Sequence, residues 1–241
     1  MSQKYVGGFI TKSPTAPTTS AASGMWTLDQ ATQYIKAGTW PSPPPSVIGQ
    51  AFGGGYYAGQ IGTSSVATHY LIVGPVASAQ NSSKQYKNAQ TATTGADSVI
   101  DGPQNTADIV AGGNSTVYPA AHFCNNLVTG GFSDWYMPAK NELEVCYYNL
   151  KPYTTSNNTA SGINANAVPA RASNYTAGTP AQTSANDFKS TGAEDFASGN
   201  YWSSTEISTT LAGSQDFNNG TQYNSLKDGY YNVRAIRRVA V

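Results

Sequence analysis

Between residues 41 and 46 the chain reads PSPPPS. Proline has no amide hydrogen to donate and holds φ near one value, so neither a helix nor a sheet ladder runs through such a stretch. The 241 residues are therefore read as two parts, residues 1–45 and 46–241. Each has to be judged by the core it can bury for itself.

The first part has little to bury. Tyr5, Phe9 and Ile10 are apolar anchors among glycines in an extended arm. SPTAPTTSAASG follows, a Pro/Ser/Ala/Thr linker that cannot build a core. Next comes one compact helix signal. Thr27 and Gln30 have capping-box spacing, Leu28, Ala31, Tyr34 and Ile35 share a helical face, and Gly38 sits where a C-terminal cap belongs. Trp26 and Trp40 flank it. A single short helix between two tryptophans does not fold alone. Residues 1–45 are expected to order by docking on another surface, through Tyr5, Phe9, Ile10, Trp26, Leu28, Tyr34, Ile35 and Trp40.

The second part alternates strands and helices. GGGYYAGQIG and THYLIVGPVAS read as two strands, the second with a buried run from Tyr70 to Val73. Residues 78–104 read as polar loop. A short helix is expected in NTADIVAGG with Thr106 as its N-cap. Another is expected in YPAAHFCNNLVTGG, with Ala120, Phe123, Cys124 and Leu127 on one face and Gly130 ending it. The clearest helix is MPAKNELEVCYYNLKP. Leu143, Cys146, Tyr147 and Leu150 fall at i, i+3, i+4 and i+7, and Pro152 stops it. Residues 151–198 form a long polar stretch of little periodicity. Three strands close the chain, in YWSST (201–205), SQDFNNG (214–220) and YYNVRAIRRVAV (230–241). The fold class expected is α+β.

Charged residues make up 11% and balance to a net charge of zero, against about 25% charged in an average soluble protein. No basic excess or stripe marks a nucleic-acid binder. The one dense basic cluster, Arg234, Arg237 and Arg238, is read as strand-end salt bridges with solvated heads. With 16 Tyr, 7 Phe and 4 Trp the chain is not of disordered composition. Tyrosine among Ser, Gly and Asn is the mixture of binding surfaces, where rigid amphipathic rings supply contact area. No apolar run reaches the roughly 20 residues of a membrane span. MSQKYVGGFITK lacks the apolar stretch of a secretory signal. The two cysteines, Cys124 and Cys146, are read as buried free thiols, with a single disulfide left open.

GFSDWYMPAKNEL resembles the Trp-Tyr/Arg-Leu/Met-Pro-x-x-x-Glu-Leu signature of an uncharacterised bacterial and phage domain family. That family is allied to C-type-lectin-like domains and formylglycine-generating enzymes. AGQI, YLIVGPV, GPQNTADIV, AAHFCNNL, YWSSTE, SQDFNNG and NVRAIRRV resemble its further elements in order, over residues 50–241. The resemblance implies a C-type-lectin-like fold: a twisted antiparallel sheet holding both chain ends, two packed helices and long loops at one edge. In it Trp135 fills the core and Asp134 holds the preceding turn. Trp135, Leu143, Cys146 and Trp202 are then expected to be buried against one sheet that also contains the C-terminal strand. KYVGGFITKSPTAP with SGMWTLDQATQYIKAGTWP resembles a module that opens many structural proteins of tailed, especially marine, phages. The resemblance implies a virion context, with docking to other virion proteins and assembly as a homo-oligomer, a trimer among the options.

The chemistry of the better-known relatives is missing. Calcium-dependent sugar binding needs Glu-Pro-Asn or Gln-Pro-Asp with Trp-Asn-Asp, and none occurs. The oxidase branch uses a late cysteine pair, and here nothing after Cys146 offers a soft ligand. His69 and His122 are far apart, and His122 reads as a satisfied packing residue. Glu142 and Glu144 read as a solvated face or a cap. No metal, cofactor, catalytic residue, nucleic-acid partner or membrane span is expected. What remains is residues 206–232, rich in Ser, Thr, Asn, Gln and Tyr. In related proteins this part is implied to be the ligand-binding face. The candidate contacts are Glu206, Ser208, Asn218, Asn219, Gln222, Tyr223, Asn224 and Tyr230, with Tyr231 the weakest of the tyrosine anchors because it shares a face with Val233. The expectation is a non-enzymatic protein of the virion surface, a fibre, tail tip or decoration, that binds a host-surface glycan or protein. An architectural protein touching only neighbouring subunits is the alternative. A polysaccharide-acting enzyme would need paired carboxylates across a cleft, and the acidic residues are too sparse to suggest a pair.

Overall fold

The computed structural model describes residues 16–17, 22, 26–36 and 45–241. The chain divides into two compact units, Met1–Pro44 and Pro45–Val241. In the first, helix α1 spans Leu28–Lys36. The capping box forms: Thr27 N donates to Gln30 Oε1 at 3.0 Å and Gln30 N to Thr27 Oγ1 at 3.2 Å. Trp26 meets Tyr34 edge to face, 5.2 Å between ring centroids, while Leu28 is 82% exposed. Tyr5, Phe9, Ile10, Gly38 and Trp40 lie outside the described residues, as does the side chain of Ile35.

The second unit is a mixed α+β structure with two curled, mainly antiparallel sheets and few helices. One sheet has the order β1-β2-β3-β9, from β1 (Ala51–Phe52), β2 (Gly55–Thr63), β3 (Val66–Val73) and β9 (Ile236–Ala240). Ser64 and Ser65 both take positive φ between β2 and β3, the geometry of a two-residue type I′ hairpin. The other sheet has the order β4-β8-β5-β6-β7, from β4 (Gln80–Lys84), β5 (Asn200–Glu206), β6 (Leu211–Asp216), β7 (Gln222–Leu226) and β8 (Tyr231–Arg234). The single turn α2 (Val76–Ala79) leads into β4. Helices α3 (Gly102–Ala111), α4 (Pro119–Asn125) and α5 (Lys140–Leu150) complete the unit. Among the described residues no helix is long and apolar enough to cross a membrane.

Several local expectations give way to tertiary pairing. The stretch 78–104 is not all loop, because Gln80–Lys84 pairs with β8. Helix α3 starts four residues before Thr106, capped by Asp101, whose side chain accepts from Gln104 N. Thr106 is buried inside it, and its Oγ1 bridges the backbone of Met137. Helix α4 ends at Asn125, well short of Gly130. The closing segment is two strands, not one. Ala235 bonds Ala79 O and Gly74 N between them, so the chain changes sheets at that residue.

The core correspondingly has two clusters. Trp135 and Trp202 lie in one, with Tyr86, Tyr118 and Ile109. Leu143 and Cys146 lie in the other, with Tyr147, Phe196 and Phe217. All four expected core residues are buried, but against two sheets, since Trp202 sits on β5 and the C-terminal strand is β9. Both cysteines are free and buried, and burial holds both thiol pKa values above the ordinary value.

Candidate functional site

The 206–232 surface is built from β6, β7 and the turns at either end. The β6–β7 turn is anchored from below by Phe217, buried and stacked on Phe196 at 4.1 Å. Gly220 closes the turn with φ +77°. A Cβ there would sit 2.4 Å from the Tyr147 ring, so no other residue fits. The amides of the turn are largely committed. Asn219 Oδ1 accepts from Thr221 N and Oγ1, and Asn219 O accepts from Asn158 N at 2.8 Å. Asn218 Oδ1 accepts from Thr155 Oγ1 at 3.3 Å. Gln222 N donates to Ser161 Oγ, and Gln222 Oε1 accepts from Gly162 N. Residues 155–162 thus brace this end.

The opposite end is held by a buried lysine. Lys227 Nζ donates to Thr91 O and Thr209 O, both at 2.9 Å, and pairs with Glu206 at 3.0 Å. Burial lowers its pKa and Glu206 opposes the shift. The same carboxylate accepts from Thr93 N at 2.6 Å, so Glu206 serves a structural ion pair. Ser208 is exposed on the β5–β6 turn, where its Oγ accepts from Leu211 N. Tyr230, on the turn leaving β7, is 65% exposed, whereas Tyr231 packs on Trp202 with 4.6 Å between centroids.

Between the ends β7 alternates. Ser225 faces Ser214, with 2.8 Å between hydroxyls, and Tyr223 shares that side of the strand while remaining 44% exposed. Asn224 and Leu226 turn to the other side, Leu226 beside its cross-strand partner Leu211. The exposed members of the expected set are Ser208, Tyr223, Asn224 and Tyr230. Leu226 and Ile207 join them as exposed apolar residues that the sequence reading missed. Asn218 and Asn219 are separated from Tyr230 by the length of β7, roughly 13–17 Å at about 3.3 Å per residue. The set forms a strip with two ends, not one pocket.

Elsewhere in the second unit the sparse charges are organised as buried or half-buried pairs. Glu142 and Glu144 are fully buried, so the solvated face fails, while the cap holds for Glu142, the N3 residue of a capping box on α5. Glu142 receives Tyr136 OH at 2.5 Å, Ala139 N at 2.8 Å and Arg238 Nε at 2.7 Å. Burial raises its pKa despite those partners. Glu144 receives Arg171, Tyr175 OH at 2.7 Å and Asn164 Nδ2 at 2.5 Å. The C-terminal arginines form the expected salt bridges, but their heads are not solvated. Arg234 is buried, pairs with Glu194 at 2.8 Å, and has its pKa pushed down to about 10 by burial. Arg237 pairs with Asp134 and lies 3.7 Å from the Phe132 ring centroid. Asp134 therefore ties its turn to β9.

The polar stretch 151–198 is ordered by the same means. Buried Lys151 donates to Thr155 O and to Asn157 Oδ1 at 2.7 Å, and Asn157 Nδ2 holds Pro180 O at 2.8 Å. Arg171, Tyr175, Lys151 and Lys227 went unnoticed in sequence, and Glu144 was noticed without its partners. The available signal was scarcity itself: in a chain so poor in charge, a charged residue among apolar neighbours, such as Glu144 before Val145 and Cys146, marks a pair.

Open clefts lie elsewhere among the described residues. One, of about 500 Å³, runs between Lys84 and helix α4 at His122 and Phe123. A second, about 310 Å³, lies beside Trp135 and Arg238, and a third, about 260 Å³, beside Tyr148 and Arg171. His122 Nε2 is bonded to Gly113 O at 2.7 Å. Among the described residues no three His, Cys, Asp or Glu side chains are grouped as a metal site would need.

The sequence model of one family, the Lcl C-terminal domain, matches residues 87–237, from just after β4 to within β9. No curated protein matches the chain.

Proposed function

The chain belongs to the Lcl C-terminal domain family, and we propose that it is a non-enzymatic virion structural protein whose second unit binds a host-surface ligand through the 206–232 strip. The second unit is read as a C-type-lectin-like domain. Supporting this, β2 and β3 from its start share a sheet with β9 from its end, and α5 packs on β2. The virion setting rests on the resemblance of the N-terminal module, with residues 1–45 as the docking element.

One observation carries the binding reading. Tyr223, Asn224, Leu226 and Tyr230 stand exposed on an edge strand and its exit turn, on a scaffold where Glu206 with Lys227 and Glu194 with Arg234 are held in internal pairs. Rigid tyrosines offer contact area at low entropic cost, and amides both donate and accept. Alanine at Tyr223, Asn224 and Tyr230, one at a time, is expected to reduce adsorption of particles to host cells while melting temperatures hold. Unchanged adsorption in all three would favour the architectural reading. That reading has its own support in the exposed apolar side chains Ile207 and Leu226, which a neighbouring subunit could cover.

A further inference from the structure

Between the first turn of α5 and the inner end of β7 lies a narrow gap lined by Lys140, Leu143, Ser203, Gln215 and Gln222. As it stands it has no room for a water-sized sphere, so a ligand group enters only by displacing a side chain. Two polar atoms at it have no hydrogen-bond partner in the protein, Gln215 Oε1 and Gln222 Nε2. The two residues are direct cross-strand partners.

The neighbours fix which end of each amide is free. Tyr175 OH gives its only proton to Glu144 at 2.7 Å, so toward Gln215 it can only accept. Gly220 O can only accept as well. Both take Gln215 Nε2, at 3.2 and 3.3 Å, which leaves the Gln215 oxygen free. Gly162 N can only donate, and it bonds the Gln222 oxygen at 3.3 Å, which leaves the Gln222 NH₂ free. Flipping either amide would set donor against donor or acceptor against acceptor. Two residues paired across β6 and β7 therefore offer one unpaired acceptor and one unpaired donor.

A hydroxyl group is the small ligand function that donates and accepts through one oxygen. We infer that this gap is a subsite for a hydroxyl of a neutral saccharide, seated between Gln215 Oε1 and Gln222 Nε2. The inference deepens the host-binding reading and rests on it for its biological meaning. Gln222 is the gate. It is half-buried and its side chain is held by one long bond, whereas Gln215 is 2% exposed and pinned by two. A buried donor and acceptor left unpaired destabilise the closed arrangement, so a hydroxyl that pairs both gains what the closed state lacks. Asn224, two residues along on the same side of β7, is placed to meet the rest of the sugar.

The test is a titration of the full chain with the methyl glycosides of glucose, galactose and N-acetylglucosamine, followed by NMR of the glutamine side-chain amides. At least one glycoside should shift the Gln215 and Gln222 NH₂ signals saturably. Gln222→Glu keeps the size but removes the donor and faces a carboxylate toward Gln215 Oε1, so it should weaken that binding by about tenfold or more. Gln222→Ala, which only opens the gap, should weaken it too. Amide signals that stay still with all three glycosides far above millimolar concentration would overturn the inference, as would undiminished binding by Gln222→Glu. Cell adsorption separates the two proposals. Adsorption lost with Tyr223→Ala while the amides never move would sink the subsite alone. Glycosides binding at Gln222 while adsorption ignores every strip variant would sink the host-binding reading alone.

Discussion

Replacing Glu144 by alanine removes one carboxylate and releases three side chains of the 151–198 stretch. In the folded protein that group receives Arg171, Tyr175 OH and Asn164 Nδ2. Tyr175 is 5% and Asn164 1% exposed, so neither can turn to water. Each orphaned group costs about 1–3 kcal/mol. Arg171 retains some exposure and stacks on Tyr148, 4.0 Å from the ring centroid, so its loss is smaller. The total expected is about 3–5 kcal/mol, the usual cost of removing one partner of a buried pair. That corresponds to a fall in melting temperature of roughly 6–20 °C for a domain of this size. Urea unfolding measures it, and hydrogen exchange locates it: residues 155–180 should lose protection before the sheets do. The effect should reach the candidate face, because residues 158–162 brace Asn219 and Gln222. The double variant Glu144→Met with Arg171→Met should cost less than the sum of the two single variants, since no unpaired charge remains. A Glu144→Ala loss under about 1 kcal/mol, with protection at 155–180 intact, would refute the view that this carboxylate organises the long loop.

Trp135→Ala should cost about 3–5 kcal/mol, as for other large buried aromatics; Trp135 is 2% exposed and its indole N–H serves Thr129 O and Phe132 O, and a near-neutral denaturation curve would contradict that placement. Cys124 and Cys146 should resist a thiol reagent until the protein unfolds. Burial raises both pKa values above about 9, so their contribution to stability should be complete below that pH and lost as pH rises above it, when the unfolded chain releases the protons; fast labelling of native protein at neutral pH would show the thiols exposed. Melting temperature should not change with chelator, and a large drop on adding EDTA would point to an oxygen-ligand site in residues 78–116. Cell binding through the strip should depend weakly on ionic strength, because Glu206 and Lys227 satisfy each other, and a steep loss with added salt would argue for a charged interface instead.

What could be read without the structure was whatever neighbours in sequence decide. Helix α5 was legible because the Leu143–Leu150 spacing and Pro152 are local signals, and α1 because Thr27 and Gln30 cap within one turn. Strands β2, β3 and β5 announced themselves by β-branched and aromatic runs. Strands β4 and β7 did not. QNSSK and QYNSL are polar because each is an edge strand, and only the partners β8 and β6 make strands of them. The start of α3 was hidden because Gly102 and Pro103 look like loop, yet Gly102 is required where a Cβ would meet Glu142 Oε2 at 2.2 Å. The Tyr-, Asn- and Gln-rich character of 206–232 was plain in sequence. Which of those side chains are free was not, because Asn219 and Gln222 are claimed by residues about 60 positions away. The same holds for the charges. A carboxylate on a helix looks solvated until an arginine from a distant segment is folded against it, and only chain closure brings Arg171 to Glu144 or Arg238 to Glu142. Sequence fixes what each segment can do with its neighbours; burial, and with it the donors and acceptors left over for a ligand, is settled only when segments far apart in the chain share one interior.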